Sequence, residues 1–291
     1  MIDILESNEI NKGWSSDRKY LLKDKEGKKY LLRLSDISKK EEKEKEYEML
    51  SLFSSLGFPS SYPIEKGITE DGKDFYMLLE WVEGEDMEKI LPLLDEEEQY
   101  NLGTETGRIL SLIHSLPVKE EDKPLKTKKE KKLRQLEKYK LSVNRIEGDE
   151  IYIKYVEDNI DSMWIEPPVY LHGDFHPGNL IYTPNKRVGV IDYNRWEVGD
   201  RYEEFYKTES FGVNVSIPYS IGIIDSYFNH SAPLSFWKAF AFYSIHAALY
   251  SIKWAESFGK DDIEKMTRIG KRILSDFGDL SSPIPSWYRK K

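Results

Sequence analysis

The chain contains no cysteine, which excludes disulfide staples and thiolate metal sites. Long apolar runs are missing too. The most hydrophobic stretch, residues 236–254, is interrupted by Lys238, His246 and Lys253, too much charge for a spanning helix. The opening Met1-Ile2-Asp3-Ile4-Leu5-Glu6 lacks the basic start and apolar middle of a secretory signal. These absences predict a cytoplasmic protein with no membrane partner. Positive charge is in deficit, with a formal net charge of -9, which argues against a nucleic-acid partner and is compatible with a cationic substrate. The basic stretch 123–140 mixes Lys with Glu at helical spacings, the pattern of a solvated, ion-paired helix face rather than a binding patch.

What is present suffices for a folded protein. With 291 residues and 39% hydrophobic content, the chain can bury one large core or two modest ones separated by a cleft. Its 19 Tyr, 12 Phe and 7 Trp suit packed cores and a pocket lined by ring faces. Residues 18–23 and 29–34 read as a hairpin about Lys25-Glu26-Gly27. A charged helix follows and ends near Leu56, closed by Gly57 and Pro59. Strands are expected over 62–68 and 75–82, with Asp71-Gly72 as their turn. Beyond Glu83-Gly84 the spacing turns helical over 96–116, 126–141 and 149–163. Short strands return at 169–172, 180–182 and 188–192, and helices resume from 217, the longest over 234–258. The expected fold class is α+β: a small sheet-plus-helix lobe over 1–82, a hinge at about 80–84, and a larger, mainly helical lobe over 83–291.

The chemistry concentrates in Leu171-His172-Gly173-Asp174-Phe175-His176-Pro177-Gly178-Asn179 and in Val190-Ile191-Asp192. Phosphoryl transfer of the protein-kinase type needs a carboxylate at the acceptor hydroxyl. It also needs an Asn five positions later on Mg²⁺ and a second metal-binding Asp on a following turn. Asp174, Asn179 and Asp192 reproduce that set. One short loop then supplies both base and metal ligand within a few ångströms of the acceptor oxygen and the phosphates. His172 taken alone reads as a buried, hydrogen-bonded histidine rather than a catalyst. A metal hydrolase using the alternating His172, Asp174 and His176 is a less economical reading, because it leaves Asn179 and Asp192 without a task.

His-Gly-Asp-x-x-x-x-Asn followed by Ile-Asp resembles the aminoglycoside phosphotransferase family, which belongs to the protein-kinase-like superfamily with choline and fructosamine kinases. The resemblance covers nearly the whole chain. It implies a two-lobed protein-kinase-like fold, ATP or GTP as co-substrate with Mg²⁺, and a small-molecule hydroxyl acceptor. Leu79-Glu80-Trp81-Val82-Glu83-Gly84 resembles the family's hinge, so the Glu80 carbonyl and the Val82 amide would hold the base edge. Lys12-Gly13-Trp14-Ser15-Ser16-Asp17 has one glycine where protein kinases have three, and the resemblance implies that Ser15 and Ser16 present amides or hydroxyls to the phosphates. Val198-Gly199-Asp200 resembles a segment that usually reads Gly-Asp-Pro, with Arg201 in place of the Pro.

The strand lysine expected in such kinases is replaced by Arg33, whose guanidinium can pair with phosphate and with carboxylate. Glu46 has Met49, Leu50 and Phe53 three, four and seven residues on, so it lies on the inward face of its helix and requires a cation. Arg33 is the natural partner. The acceptor pocket is implied to lie among the later helices. Glu203, Glu204 and Glu256, with Tyr206, Trp237 and Trp254, are its candidate linings for an amine-bearing acceptor. A nucleotide-binding pseudokinase or regulatory module is the alternative, suggested by Gly13 and Arg33. A protein kinase is disfavoured because no Ala-Pro-Glu follows Asp192.

Overall fold

The computed structural model describes residues 3–10 and 17–288. Strands β1 (Ile4–Glu9), β2 (Arg18–Asp24), β3 (Lys29–Asp36), β4 (Pro63–Ile68) and β5 (Asp74–Glu80) form an antiparallel sheet in the order β1-β2-β3-β5-β4. Because side chains alternate across a strand, the register sorts these residues onto two faces. Leu22, Tyr30 and Leu78 cluster on one face with Tyr20 and Leu32 beside them. Lys19, directly opposite Arg33, and Leu31, directly opposite Leu79, fall on the other. Helix α1 (Lys40–Ser54) turns Lys43, Glu46, Met49, Leu50 and Phe53 inward. That is the three-and-four spacing of an amphipathic helix with two charges inserted into it.

Glu85–Asp86, Leu180–Tyr182 and Val188–Val190 make a second, three-stranded sheet. Gly84 sits tight against it at φ +138°, where an added Cβ would come within 2.2 Å of the Tyr182 carbonyl oxygen. The described residues of Met1–Met87 and those of Gly178–Trp196 therefore form one compact unit. The second unit comprises Glu88–Pro177 and the described residues of Glu197–Lys291. This differs from a division into 1–82 and 83–291. The physical reason is the pairing of Leu180–Tyr182 with Glu85–Asp86, together with the bond from the Val190 amide to the Pro59 carbonyl at 2.9 Å.

In the second unit, helices Glu96–His114 and Ile217–Tyr227 approach closely because Gly103 and Gly107 present no side chain. A Cβ at either would meet the Tyr219 or Ile223 carbonyl oxygen at 2.1 or 2.3 Å. Leu234–Ala255 is buried over most of its length and packs against Lys129–Lys140 and Lys260–Phe277. Val169–Leu171 pairs antiparallel with Glu197–Gly199. Among the described residues no helix is long and apolar enough to cross a membrane.

Several elements differ from the sequence-based expectation. The strand expected over 75–82 ends at Glu80. The helix expected over 149–163 stops at Asp158 and gives way to a 3-10 turn, Ile160–Ser162. β1 was not anticipated. All six of its residues are exposed, so it lacks the alternation that would betray a half-buried strand.

Candidate active site

Within the first unit the sheet face carrying Lys19 and Leu31 opens onto a cavity of about 240 Å³. Its apolar walls include Leu31, Leu79 and Val82, and its polar lining includes Lys19, Asn179 and Asp192. The hairpin register explains how two residues thirteen positions apart come to share it. Leu180 lies opposite Val190, and the Ile191 amide donates to the Asn179 carbonyl at 3.1 Å. Asn179 and Asp192 are thereby held at the same end of the hairpin. Asp192 is held at φ +65°, an uncommon conformation for a residue with a side chain and one that recurs at functional sites. An amide oxygen and a carboxylate are hard donors, the chemistry that Mg²⁺ takes. Asp192 Oδ2 meanwhile accepts from Lys19 Nζ at 3.3 Å.

Trp81 and Val82 line the cavity, whereas the Glu80 carboxylate faces Lys28 at 3.1 Å. Ser15 and Ser16 lie outside the described residues. Arg33 and Glu46 meet, as the helical spacing requires: Arg33 Nη1 donates to Glu46 Oε1 at 2.5 Å. The pair belongs to a larger cluster that the sequence did not reveal. Arg33 Nη2 donates to Asp17 Oδ2 at 2.5 Å, and Lys43 Nζ reaches both Asp17 and Glu46 at 2.8 Å. Burial opposes the charge on Arg33, but Glu46 and Asp17 outweigh it and raise its pKa. For Asp17, burial is likewise overcome by Arg33 and Lys43, which hold its carboxyl well below the usual range. Lys43 carried one signal in the sequence, its place three residues before Glu46 on the same helix face.

The loop bearing Asp174 belongs to the second unit, and its backbone is held from beneath. Gly173 adopts φ +78°, a conformation suited to glycine. Glu204 Oε1 accepts from the Gly173 amide at 3.0 Å and from the Phe175 amide at 3.4 Å. Burial would neutralise Glu204, but His114, His172 and the Gly173 amide together hold its pKa below the ordinary value. His172, wholly buried, accepts from the Asp174 amide through Nδ1 at 3.2 Å and rests against the Phe175 ring. The carboxylate itself is gripped by a residue that sequence reasoning missed. Lys207 Nζ lies 2.6 Å from Asp174 Oδ1, with His176 Nε2 at 3.6 Å from the same oxygen. Lys207 Nζ also lies over the rings of Tyr206 and Phe211.

The acids assigned to an acceptor pocket have other partners. Glu203 is buried between Lys132 Nζ at 2.7 Å and Lys128 Nζ at 3.1 Å. Burial resists its ionisation, but the two lysines prevail and hold it at about 2. Glu204 is the loop anchor described above. Glu256 accepts from Ser142 at 2.5 Å, from Asn144 at 3.0 Å and from Lys253. Trp237 is a core residue and Trp254 lies against Phe258. Neighbouring elements supply the lysines, amides and serine that pair these acids. Asp200 is paired too, accepting from the Trp164 amide, the Tyr202 amide and the Tyr243 hydroxyl. Among the described residues no three His, Asp or Glu side chains group as a metal site.

Comparison with known proteins bears on the family and the fold. The model of the phosphotransferase enzyme family matches residues 6–237. No curated protein matches. Among solved structures, the GDP complex of a mutant aminoglycoside 2'-phosphotransferase IIIa superposes with a TM-score of 0.75 at 16% identity, covering 96% of this chain and 95% of that one. An amicoumacin kinase in complex with AMP-PNP and Ca²⁺ gives 0.67 at 14% identity, covering 98% and 92%. An aminoglycoside phosphotransferase in a ternary complex with ADP and hygromycin B gives 0.66 at 14% identity, covering 94% of each chain. At these identities the likeness establishes a kinase-like fold. The family match carries the activity: the chain belongs to the phosphotransferase enzyme family and is a kinase that acts on a hydroxyl group.

Proposed function

We propose that the chain moves the γ-phosphoryl group of ATP or GTP to a hydroxyl of a small, amine-bearing molecule. Asp174 receives the acceptor proton, and Asn179 and Asp192 hold Mg²⁺. One observation carries the reading: a single cavity is lined by Asn179 and Asp192 together with Leu79, Trp81 and Val82. Apolar walls of Leu31, Leu79 and Val82 suit the flat face of a base. Hard oxygen donors in the same lining suit a phosphate-bound metal ion. When bound there, Mg²⁺ would neutralise charge on the phosphates. Lys207 fixes one oxygen of Asp174, and Glu204 and His172 fix the backbone on either side of it, so the carboxylate is oriented before a substrate arrives. The amine-bearing class is favoured by the net charge of -9. It is also favoured by fold relatives solved with kanamycin and with hygromycin B.

The test separates the two carboxylates. Asp174→Asn is expected to leave Mg²⁺-dependent nucleotide affinity nearly intact while lowering transfer by about 10²- to 10⁴-fold, the usual worth of a positioned base. Asp192→Asn is expected to weaken Mg²⁺-nucleotide binding as well as transfer. Calorimetry and a nucleotide-consumption assay over aminoglycosides, choline-like amines and neutral sugars supply both readouts. Full activity in Asp174→Asn would remove the assigned base. Turnover of neutral acceptors alone, without salt dependence, would remove the amine-bearing class.

A further inference from the structure

Two cations face one another on the sheet surface that lines the cavity, Lys19 on β2 and Arg33 on β3, directly paired across the ladder. Opposite residues in an antiparallel pair present their side chains to the same face, so both are candidates for the group that meets the nucleotide's phosphates. Their surroundings distinguish them. Arg33 has both terminal nitrogens committed, Nη1 to Glu46 and Nη2 to Asp17, each at 2.5 Å. Lys43 closes the cluster with a second positive charge against the same two carboxylates. Two cations and two anions balance. The Arg33 side chain is 3% exposed, and pulling it toward a phosphate would strand buried carboxylates beside a single ammonium.

Lys19 is in the opposite situation. Its side chain is 13% exposed, and its Nζ lies 3.3 Å from Asp192 Oδ2. That separation exceeds the roughly 2.7–2.9 Å of a tight charge-assisted hydrogen bond. Lys19, Asn179 and Asp192 line one cavity. An ammonium on a flexible stem can keep its attraction to Asp192 while bonding a neighbouring phosphate oxygen, because its donors rotate freely about Cε–Nζ. We infer that Lys19 is the phosphate-binding cation of this kinase, and that Arg33, in the strand position where a lysine is expected, is a framework residue. The inference rests on the cavity being the nucleotide site.

Calorimetry on the full chain with Mg²⁺ tests it, using ATP and GTP alongside adenosine and guanosine, which lack phosphates. Lys19→Gln is expected to weaken triphosphate binding by about 10- to 100-fold, the worth of one hydrogen bond to a charged group. Nucleoside affinity and the thermal midpoint should stay as in the wild type, and Lys19→Arg should recover part of the loss. A purely structural role for Lys19 would lower nucleoside and triphosphate affinity together. That outcome, or triphosphate binding by Lys19→Gln equal to the wild type, overturns the inference and leaves the nucleotide site standing. Wild-type protein that binds neither nucleotide nor nucleoside overturns both.

Discussion

Two buried carboxylates, one in each unit, are pushed in opposite directions. Asp17 shares Arg33 and Lys43 with Glu46, two cations for two acids, and its carboxyl is held well below the usual range although burial opposes this. Glu209 is wholly buried in a π-helical turn, Thr208–Gly212. Its Oε1 meets Arg272 Nη1 at 2.5 Å, but Arg272 Nη1 also serves Asp276 at 2.5 Å. Burial prevails there over one shared arginine, Asp276 adds to it, and Glu209 is pushed up to about 7. Desolvation penalises a charge in either place. Glu209 is the more deeply buried of the two, so heavier desolvation and fewer cations per carboxylate act in the same direction on it.

The sharpest way to break this contrast is Arg33→Met, which leaves Asp17 and Glu46 with Lys43 alone. Uncompensated buried charge of this kind is expected to lower unfolding free energy by about 3–5 kcal/mol, read from the urea midpoint. Acid titration comes next. A raised carboxyl such as Glu209 contributes stability below its ordinary pKa, near 4.5, that is lost as pH rises through about 7. A depressed one such as Asp17 contributes stability above its ordinary pKa, near 3.8, that is lost as pH falls below it. Glu209→Gln should therefore flatten the slope of stability between pH 4.5 and 7, a term on the order of 3 kcal/mol at most, and leave the acid limb unchanged. An unaltered slope would show that Arg272 keeps Glu209 ionised at neutral pH. Arg272→Met should cost less than Arg33→Met, about 1–2 kcal/mol for its lost hydrogen bonds, because Glu209 can take up a proton near neutrality whereas Asp17, held well below the usual range, cannot do so cheaply. The smallest effect belongs to the exposed pair of Lys154 and Asp158: Lys154→Ala should not move the thermal midpoint measurably.

How much of this was legible beforehand depended on sequence distance. Asp174, Asn179 and Asp192 are spelled out by one loop and the strand that follows it, and Glu46 betrayed its inward face through residues within two helical turns. Lys19 was not legible, because its importance comes from strand register opposite Arg33 and from Asp192 far along the chain. Lys207 and Glu204 act on the Asp174 loop from about thirty residues away, and no local pattern separates a loop anchor from a solvated glutamate. The partners of Glu203 were hidden for the same reason: Lys128 and Lys132, which hold it ionised, come from a distant stretch of the chain. The α+β division into a sheet-plus-helix part and a mainly helical part was readable from the change of periodicity after Gly84, and the kinase-like fold from the resemblance of the His172–Asn179 loop and Ile191-Asp192 to the family motif. The membership of Gly178–Trp196 in the first unit depends on strand pairing and was not.

That membership bears on how the protein is made. A ribosome completes Met1–Met87 and then all of Glu88–Pro177 before it supplies the remainder of the first unit. The cavity takes Lys19, Leu31 and Leu79 from the early segment and Asn179, Ile191 and Asp192 from the late one. During elongation, at roughly 5–20 residues per second, the nascent sheet must wait for seconds with its pocket face unfinished and its buried charge cluster lacking the later strands. With the cavity as the proposed nucleotide site, a nucleotide stabilises this enzyme only after residue 192 has left the exit tunnel, and a chain released earlier lacks Asp192 from that lining.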